Sequence, residues 1–181
     1  WLFYALCERN PAGIKSALAL IPQEGVTSVT VRICRPFYHG LAARALNDPA
    51  TAKGAFVAAR AEMEKIIREQ PDYPQAMSVL GMIDAALGRK EDAVHEARRA
   101  VDLLPLEKDS LTHAELMKNL AVVYAWTGEK DAALNELTEL LQIPAPISYG
   151  QLRLHPYWDP LRDDPRFEKL VAESAKPVAI K

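Results

Sequence analysis

The chain has 181 residues, of which 49% are hydrophobic and 25% charged, a balance typical of a folded domain with its own core. Lys and Arg number 22 against 24 Asp and Glu. The net charge of −2 therefore gives no electrostatic case for binding nucleic acid or an anionic membrane. The two cysteines lack metal-ligand spacing, which favours a reducing, cytoplasmic location and argues against a zinc site.

The N-terminal stretch WLFYALCERN already has the pattern of a helix interior and carries no initiator Met. We interpret the chain as a piece of a longer protein. No apolar run approaches the roughly 18–20 residues that cross a bilayer, so no membrane-spanning helix is expected.

Four segments align when small residues are used as anchors, and each carries a second alanine twelve positions later. This spacing predicts pairs of helices that cross where a small side chain lets the backbones approach. Three of the four turns contain Asn47, Gly88 or Gly128, residue types that accept a left-handed conformation after a helix. The anchors and their partners are Ala5 and Ala17, Gly40 and Ala52, Gly81 and Ala93, and Ala121 and Ala133.

The predicted units lie near residues 1–25, 33–71, 74–105 and 114–144, so that helical repeats fill residues 1–145. The second unit contains one long helix over 49–70, and LEKDSLT forms a longer connection after Pro105. Pro105 and Pro144 end second helices. Strand signals are confined to VTSVTVRI at 26–33, which we interpret as an extended loop without a pairing partner.

Residues 146–176 break the repeat pattern and predict a capping segment, followed by a tail at 177–181. Ser148 is expected to cap a short helix, and Asp164 followed by Pro165 is a typical helix start. An end cap must bury apolar side chains against the last repeat. The candidates are Leu152, Leu154, Tyr157, Trp158, Leu161 and Phe167.

The same stretch, HPYWDPLRDDPRF, has a second interpretation as a metal or acid–base site built from His155, Asp159, Asp163 and Asp164. The prolines would hold these carboxylates in divergent turns, and two of the acids are explained as helix caps. We therefore favour the cap and assign no metal, cofactor or catalytic residue.

The helix pairs resemble the tetratricopeptide repeat family, through Met77, Leu80, Gly81, Ala93 and Pro105 in one unit. A second set of matches is Leu120, Ala121, Tyr124, Ala133 and Leu137. The resemblance implies an all-α, right-handed stack of about four hairpins whose first helices line a concave face that takes up a peptide or partner helix. The sequence WDPLRDDPRF resembles the end of bacterial regions of this family, which implies an N-terminal effector domain in a signalling or regulatory protein.

Positions one turn apart on the first helices give a candidate partner-binding surface. Its members are Phe37, Arg44, Ser78, Met82, Lys118, Asn119 and Trp126. A separate set is expected to be structural: Gly40, Ala52, Gly81, Ala93, Ala121, Ala133, Trp158 and Phe167. The predicted function is a non-catalytic protein-interaction module, and the alternative is a small enzyme or metal-binding protein with its site near residues 155–167.

Overall fold

The computed structural model describes residues 1–28, 31–143 and 147–175. Over these residues the chain forms ten α-helices, one 3₁₀ helix and one two-stranded sheet, so the predicted all-α class is confirmed. The elements are α1 (Leu2–Glu8), α2 (Pro11–Ala19), β1 (Val26–Ser28), β2 (Val31–Ile33), α3 (Arg35–Ala45), α4 (Pro49–Glu69), α5 (Pro74–Ala86), α6 (Lys90–Leu103), α7 (Ser110–Trp126), α8 (Lys130–Leu140), α9 (Tyr149–Leu154), the 3₁₀ helix (Pro156–Leu161) and α10 (Pro165–Ser174).

Consecutive helices pack in pairs: α1 with α2, α3 with α4, α5 with α6, and α7 with α8. Successive pairs then contact each other through α4 and α5 and through α5, α6 and α7. Asn47, Gly88 and Gly128 have φ values of 58°, 77° and 83°, which confirms the predicted left-handed turns. The pairs thus follow one another along the chain as the anchor spacing requires.

Small residues let the paired helices approach closely. A Cβ added to Gly40 would lie 2.7 Å from a ring carbon of Phe56, and one added to Gly81 would lie 3.0 Å from the carbonyl oxygen of Ala93. The pair α3 and α4 and the pair α5 and α6 therefore each have a crossing that a larger side chain would force open. The structure also buries the remaining anchors of the four pairs: Ala5, Ala17, Ala52, Ala93, Ala121 and Ala133.

The interpretation of residues 26–33 as an unpaired extended loop is wrong. β1 and β2 pair with each other as a short antiparallel hairpin, with Val26 opposite Ile33. Val31 is 3% exposed and β2 contacts α5, so alternation of β-branched residues here reports a hairpin that packs on the helices. The single stretch of β-branched residues at 26–33 thus contains two strands.

One predicted boundary between the helix pairs needs correction. LEKDSLT is not all connection, because α7 begins at Ser110, four residues before the predicted unit start. The Asp109 side chain accepts a hydrogen bond from the Thr112 backbone N–H at 3.0 Å, and this cap starts the helix at Ser110.

The long helix predicted in the second unit is confirmed as α4. The predicted helix end at Pro144 and the tail at 177–181 lie outside the described residues.

The short C-terminal helices begin where their caps predict. Ser148 and Gln151 form a reciprocal capping box at the start of α9. The Asp164 side chain accepts from the Arg166 backbone N–H at 2.9 Å, one residue beyond Pro165. No helix within residues 1–28, 31–143 or 147–175 is both long and apolar enough to span a bilayer.

We predict that Ala93→Leu lowers the free energy of unfolding by roughly 1–3 kcal/mol, because Ala93 is 0% exposed against Gly81 and has no room for a larger side chain. Ala58→Leu is the matched control, since Ala58 is exposed on α4. Urea denaturation measures both. Equal losses in the two variants would contradict the assignment of Ala93 to a helix crossing.

Candidate functional site

Four of the seven residues proposed to bind a partner lie inside the stack. Phe37 and Met82 are 4% and 2% exposed, and both belong to the main hydrophobic core. Asn119 Nδ2 donates a 3.0 Å hydrogen bond to Ser78 Oγ, which links α7 to α5. Because these four side chains present almost no surface, they hold helices together and do not form an open binding face.

Of the other three residues, Arg44 lies on α3, and Lys118 and Trp126 lie two turns apart on α7. The Arg44 guanidinium carbon is 4.2 Å from the centroid of the Trp126 ring, a cation–π contact. Burial lowers the pKa of Arg44. Lys118 Nζ is 2.6 Å from the carboxylate of Glu115, one turn earlier. Arg44 and Trp126 border a groove that we call the inner groove, which is also lined by Leu6, Leu41 and Ala45.

The inner groove is filled by the chain itself. The Trp126 indole N–H donates to the Tyr157 carbonyl oxygen at 3.0 Å, and the two rings meet edge to face at 5.5 Å. His155, Pro156 and Tyr157 leave a residual cavity of only about 10 Å³, barely enough for one water molecule. We call residues 155–159 the groove segment.

His155 is a packed residue of this segment. It is 2% exposed, and its ring stacks on Phe3 at 4.4 Å and meets Tyr157 at 4.0 Å. Its Nδ1 accepts a hydrogen bond from the Tyr157 backbone N–H at 3.3 Å. The ring therefore contributes to packing between α1 and the groove segment, a role that sequence reasoning did not assign to it.

Burial, and then the surrounding charges, favour the neutral form of His155. Burial lowers the pKa of His155 to about 4, and the positive charges of Lys118, Arg162 and Arg9 add to that effect. Asp159 acts in the opposite direction, but it does not offset the burial. The buried imidazole is thus neutral at neutral pH.

Two of the three carboxylates at positions 159–164 have separate arginine partners. Asp159 Oδ1 accepts from Arg9 at 2.6 Å and from Arg162 at 2.9 Å. Asp164 caps α10, and its Oδ2 is 2.7 Å from Arg166. Asp163 is exposed. The geometry directs these side chains apart, and among the described residues no three His, Cys, Asp or Glu side chains are arranged to hold a metal ion.

Trp158 and the apolar residues that follow it are buried in the main core. Trp158 is 1% exposed and its ring lies 6.4 Å from that of Phe167, which is 0% exposed. Leu152 and Leu161 are also fully buried, whereas Leu154 is 50% exposed, so its predicted burial is wrong. α9 is a six-residue helix, and Leu154 lies two positions from the buried Leu152, which places it on another side.

A second polar cluster lies between α4, α5 and α6. Asp84 is 0% exposed, and its Oδ1 is 2.6 Å from Arg60 Nε and 3.2 Å from Arg89 Nε. Burial, followed by the negative charge of Asp84, raises the pKa of Glu96. Sequence reasoning missed this cluster, although a lone acid in the apolar run GMIDAALG is its signal.

No protein-family model matches the chain, and no curated protein matches it significantly.

We predict that Trp158→Ala lowers the free energy of unfolding by roughly 3–5 kcal/mol, because it empties a fully buried site in the core beneath the cap. Trp1→Ala is the matched control, since Trp1 is 91% exposed. Chemical denaturation of both variants measures the difference. A tolerated Trp158→Ala would contradict the capping role.

A further prediction concerns the stability of the protein in acid. The folded-state pKa of His155, about 4, lies below its ordinary value of 6.5, so its contribution to stability is complete above pH 6.5 and is lost as pH falls toward 4. Between pH 7 and pH 5 this amounts to about 2 kcal/mol. His155→Phe keeps an aromatic ring and should lack this component; an equal acid loss in both proteins would contradict the assignment.

Proposed function

We propose that the chain is a non-catalytic protein-interaction module whose inner groove binds an extended peptide segment. The observation that carries the proposal is the hydrogen bond from the Trp126 indole to the main-chain carbonyl of Tyr157. A side-chain donor that bonds a peptide carbonyl binds any sequence of suitable shape, while neighbouring side-chain slots select among sequences.

The residues around this bond have the chemistry of protein interfaces. Trp and Arg are enriched at the energetic centres of such interfaces, and here Trp126 and Arg44 stack on each other beside the groove segment. Both are half-buried and supported by the packed helices α3 and α7. A rigid aromatic and cationic surface of this kind supports binding of a peptide rather than a small metabolite.

The enzyme alternative has weaker support. Of the acids near residues 155–167, Asp159 bonds to arginines, Asp164 caps a helix and bonds to Arg166, and Asp163 is exposed. The buried Asp84 is 0% exposed and bonded by Arg60, so no substrate reaches it without unpacking α4 and α5. The larger open depression, of about 720 Å³ between α6 and α8, carries Lys90 and Glu129 already paired with each other.

The resemblance to tetratricopeptide repeats also supports a proposal about the protein that contains this module. We propose that the helix pairs form a right-handed stack of that family within a larger bacterial signalling or regulatory protein. In that protein the module works in the cytoplasm beside an N-terminal effector domain and takes a protein partner rather than nucleic acid or membrane. The near-neutral charge of −2 supports the last point.

The test is a selection of displayed random peptides on the full chain, followed by affinity measurements with the enriched sequences. We predict that Trp126→Phe, which keeps a ring and removes the N–H donor, weakens binding about fivefold to tenfold, the value of one hydrogen bond. Trp1→Phe makes the same change at an exposed position and should leave affinity unchanged. Failure to enrich any sequence, or equal affinities for the two variants, would contradict the proposal.

A further inference from the structure

An open depression of about 430 Å³ lies between α2 and α3, and none of the residues that line it lines the inner groove. Its volume falls within the roughly 300–1,000 Å³ that is typical of small-ligand sites in proteins. Its base is apolar, because Ile14 of α2 and Ala42 of α3 are 1% and 3% exposed and belong to one small hydrophobic cluster. The depression is therefore a separate surface with an apolar base.

One face of α3 changes from basic to apolar along the depression. Arg35 and His39 lie one turn apart at the start of the helix, and Ala42 and Leu46 follow on the same face. Leu46 is 40% exposed, so apolar surface remains open at this end. The 11 residues of α3 span about 16 Å, a length that suits an extended apolar chain with one charged end.

Three basic side chains line the depression: Lys15 from α2, and Arg35 and His39 from α3. The ion pairs found among the described residues involve other side chains, so no carboxylate in this part of the chain neutralises them. Asp48 also lines the depression, but its carboxylate accepts a hydrogen bond from the Thr51 backbone N–H at 3.1 Å and caps α4. The depression therefore has an excess of positive charge, although the whole chain carries −2.

The Arg35 guanidinium lacks an acceptor for one of its donors. Its Nε atom is buried and has no hydrogen-bond partner among the described residues. A buried N–H without an acceptor destabilises a fold, and a charged donor does so more strongly. Arg35 is also the first residue of α3, where the helix dipole is positive, and Cys34 before it provides no side-chain cap. A carboxylate bound at this end would supply an acceptor and a negative charge together.

We propose that the depression between α2 and α3 binds an unbranched aliphatic carboxylate, with the carboxylate at Arg35 and the apolar chain along Ala42 and Leu46. The charged head pairs with the guanidinium, and the chain covers apolar surface that is open to solvent. The single charged end of the depression favours such a small amphiphile over a partner helix, which presents charges along its whole length. Both the charge and the tail of the ligand are required, because each meets a different end of the surface.

The test is isothermal titration calorimetry of the full chain with decanoate, at concentrations below those at which decanoate forms micelles. We predict saturable binding at one site. Decan-1-ol lacks the charge and butyrate lacks most of the apolar chain, so each should bind about tenfold more weakly or worse.

Arg35→Gln removes the charge and should weaken decanoate binding about tenfold, the value of a hydrogen-bonded charge pair. Arg32→Gln makes the same change at an exposed position of β2 and should match the unaltered chain. Trp126→Phe, in the inner groove, should also leave decanoate binding unchanged, which separates this site from the interaction module.

A second pair of variants decides the question if Arg35→Gln does not fold. Lys15→Gln, at an exposed position of α2, removes one of the cations that line the depression and should weaken decanoate binding about twofold to fivefold. Lys53→Gln, at an exposed position of α4, is the control and should leave the affinity unchanged.

Absence of decanoate binding, or equal affinities of Arg35→Gln and Arg32→Gln for decanoate, would overturn the proposal. For the second pair, equal affinities of Lys15→Gln and Lys53→Gln would have the same meaning. Equal affinities of the unaltered chain for decanoate and decan-1-ol would also overturn it, because the basic side chains would then take no part in binding.

Discussion

The apolar side of the last helix pair must be covered, and the rest of the C-terminal structure depends on that requirement. Trp158 and Phe167, both almost fully buried, meet this requirement within the same core as α7 and α8. Anchoring Trp158 also fixes its neighbours, because Tyr157 and His155 are only one and three residues away. Covering this end of the stack thus places a short segment across the inner groove and brings α1 into contact with α9 and His155.

The capping segment consequently has two parts with different physical properties. The part around Trp158 and Leu161 is dry and apolar, and its loss would expose core surface. The part at residues 155–157 is held by ring contacts, by a hydrogen bond from Trp126 to the Tyr157 carbonyl, and by a hydrogen bond from Arg162 to the His155 carbonyl at 3.1 Å. The two parts therefore stabilise the end of the stack by different interactions, one by burial of apolar surface and the other by directed contacts between neighbouring elements.

Local rules predicted much of the fold and little of the site. Helix pairing follows from small residues such as Gly81 and from turn residues such as Gly88, because these act through steric contact between neighbours in sequence. The strand pairing at 26–33 and the burial of His155 depend on contacts with distant segments, which no local pattern contains. Candidate groove residues were chosen by helix periodicity, yet periodicity gives the same signal for a core position such as Met82 as for a surface one.

The most direct test of the account is the hydrogen-exchange rate of the tryptophan indole N–H groups, observed by nitrogen-15 NMR on the unaltered full chain. The chain has three tryptophans, and each gives one indole signal. The account predicts that the Trp126 indole exchanges far more slowly than that of Trp1, which is 91% exposed, because the Trp126 N–H is bonded to the Tyr157 carbonyl. Exchange of Trp126 as fast as that of Trp1 would contradict the claim that the chain occupies its own groove.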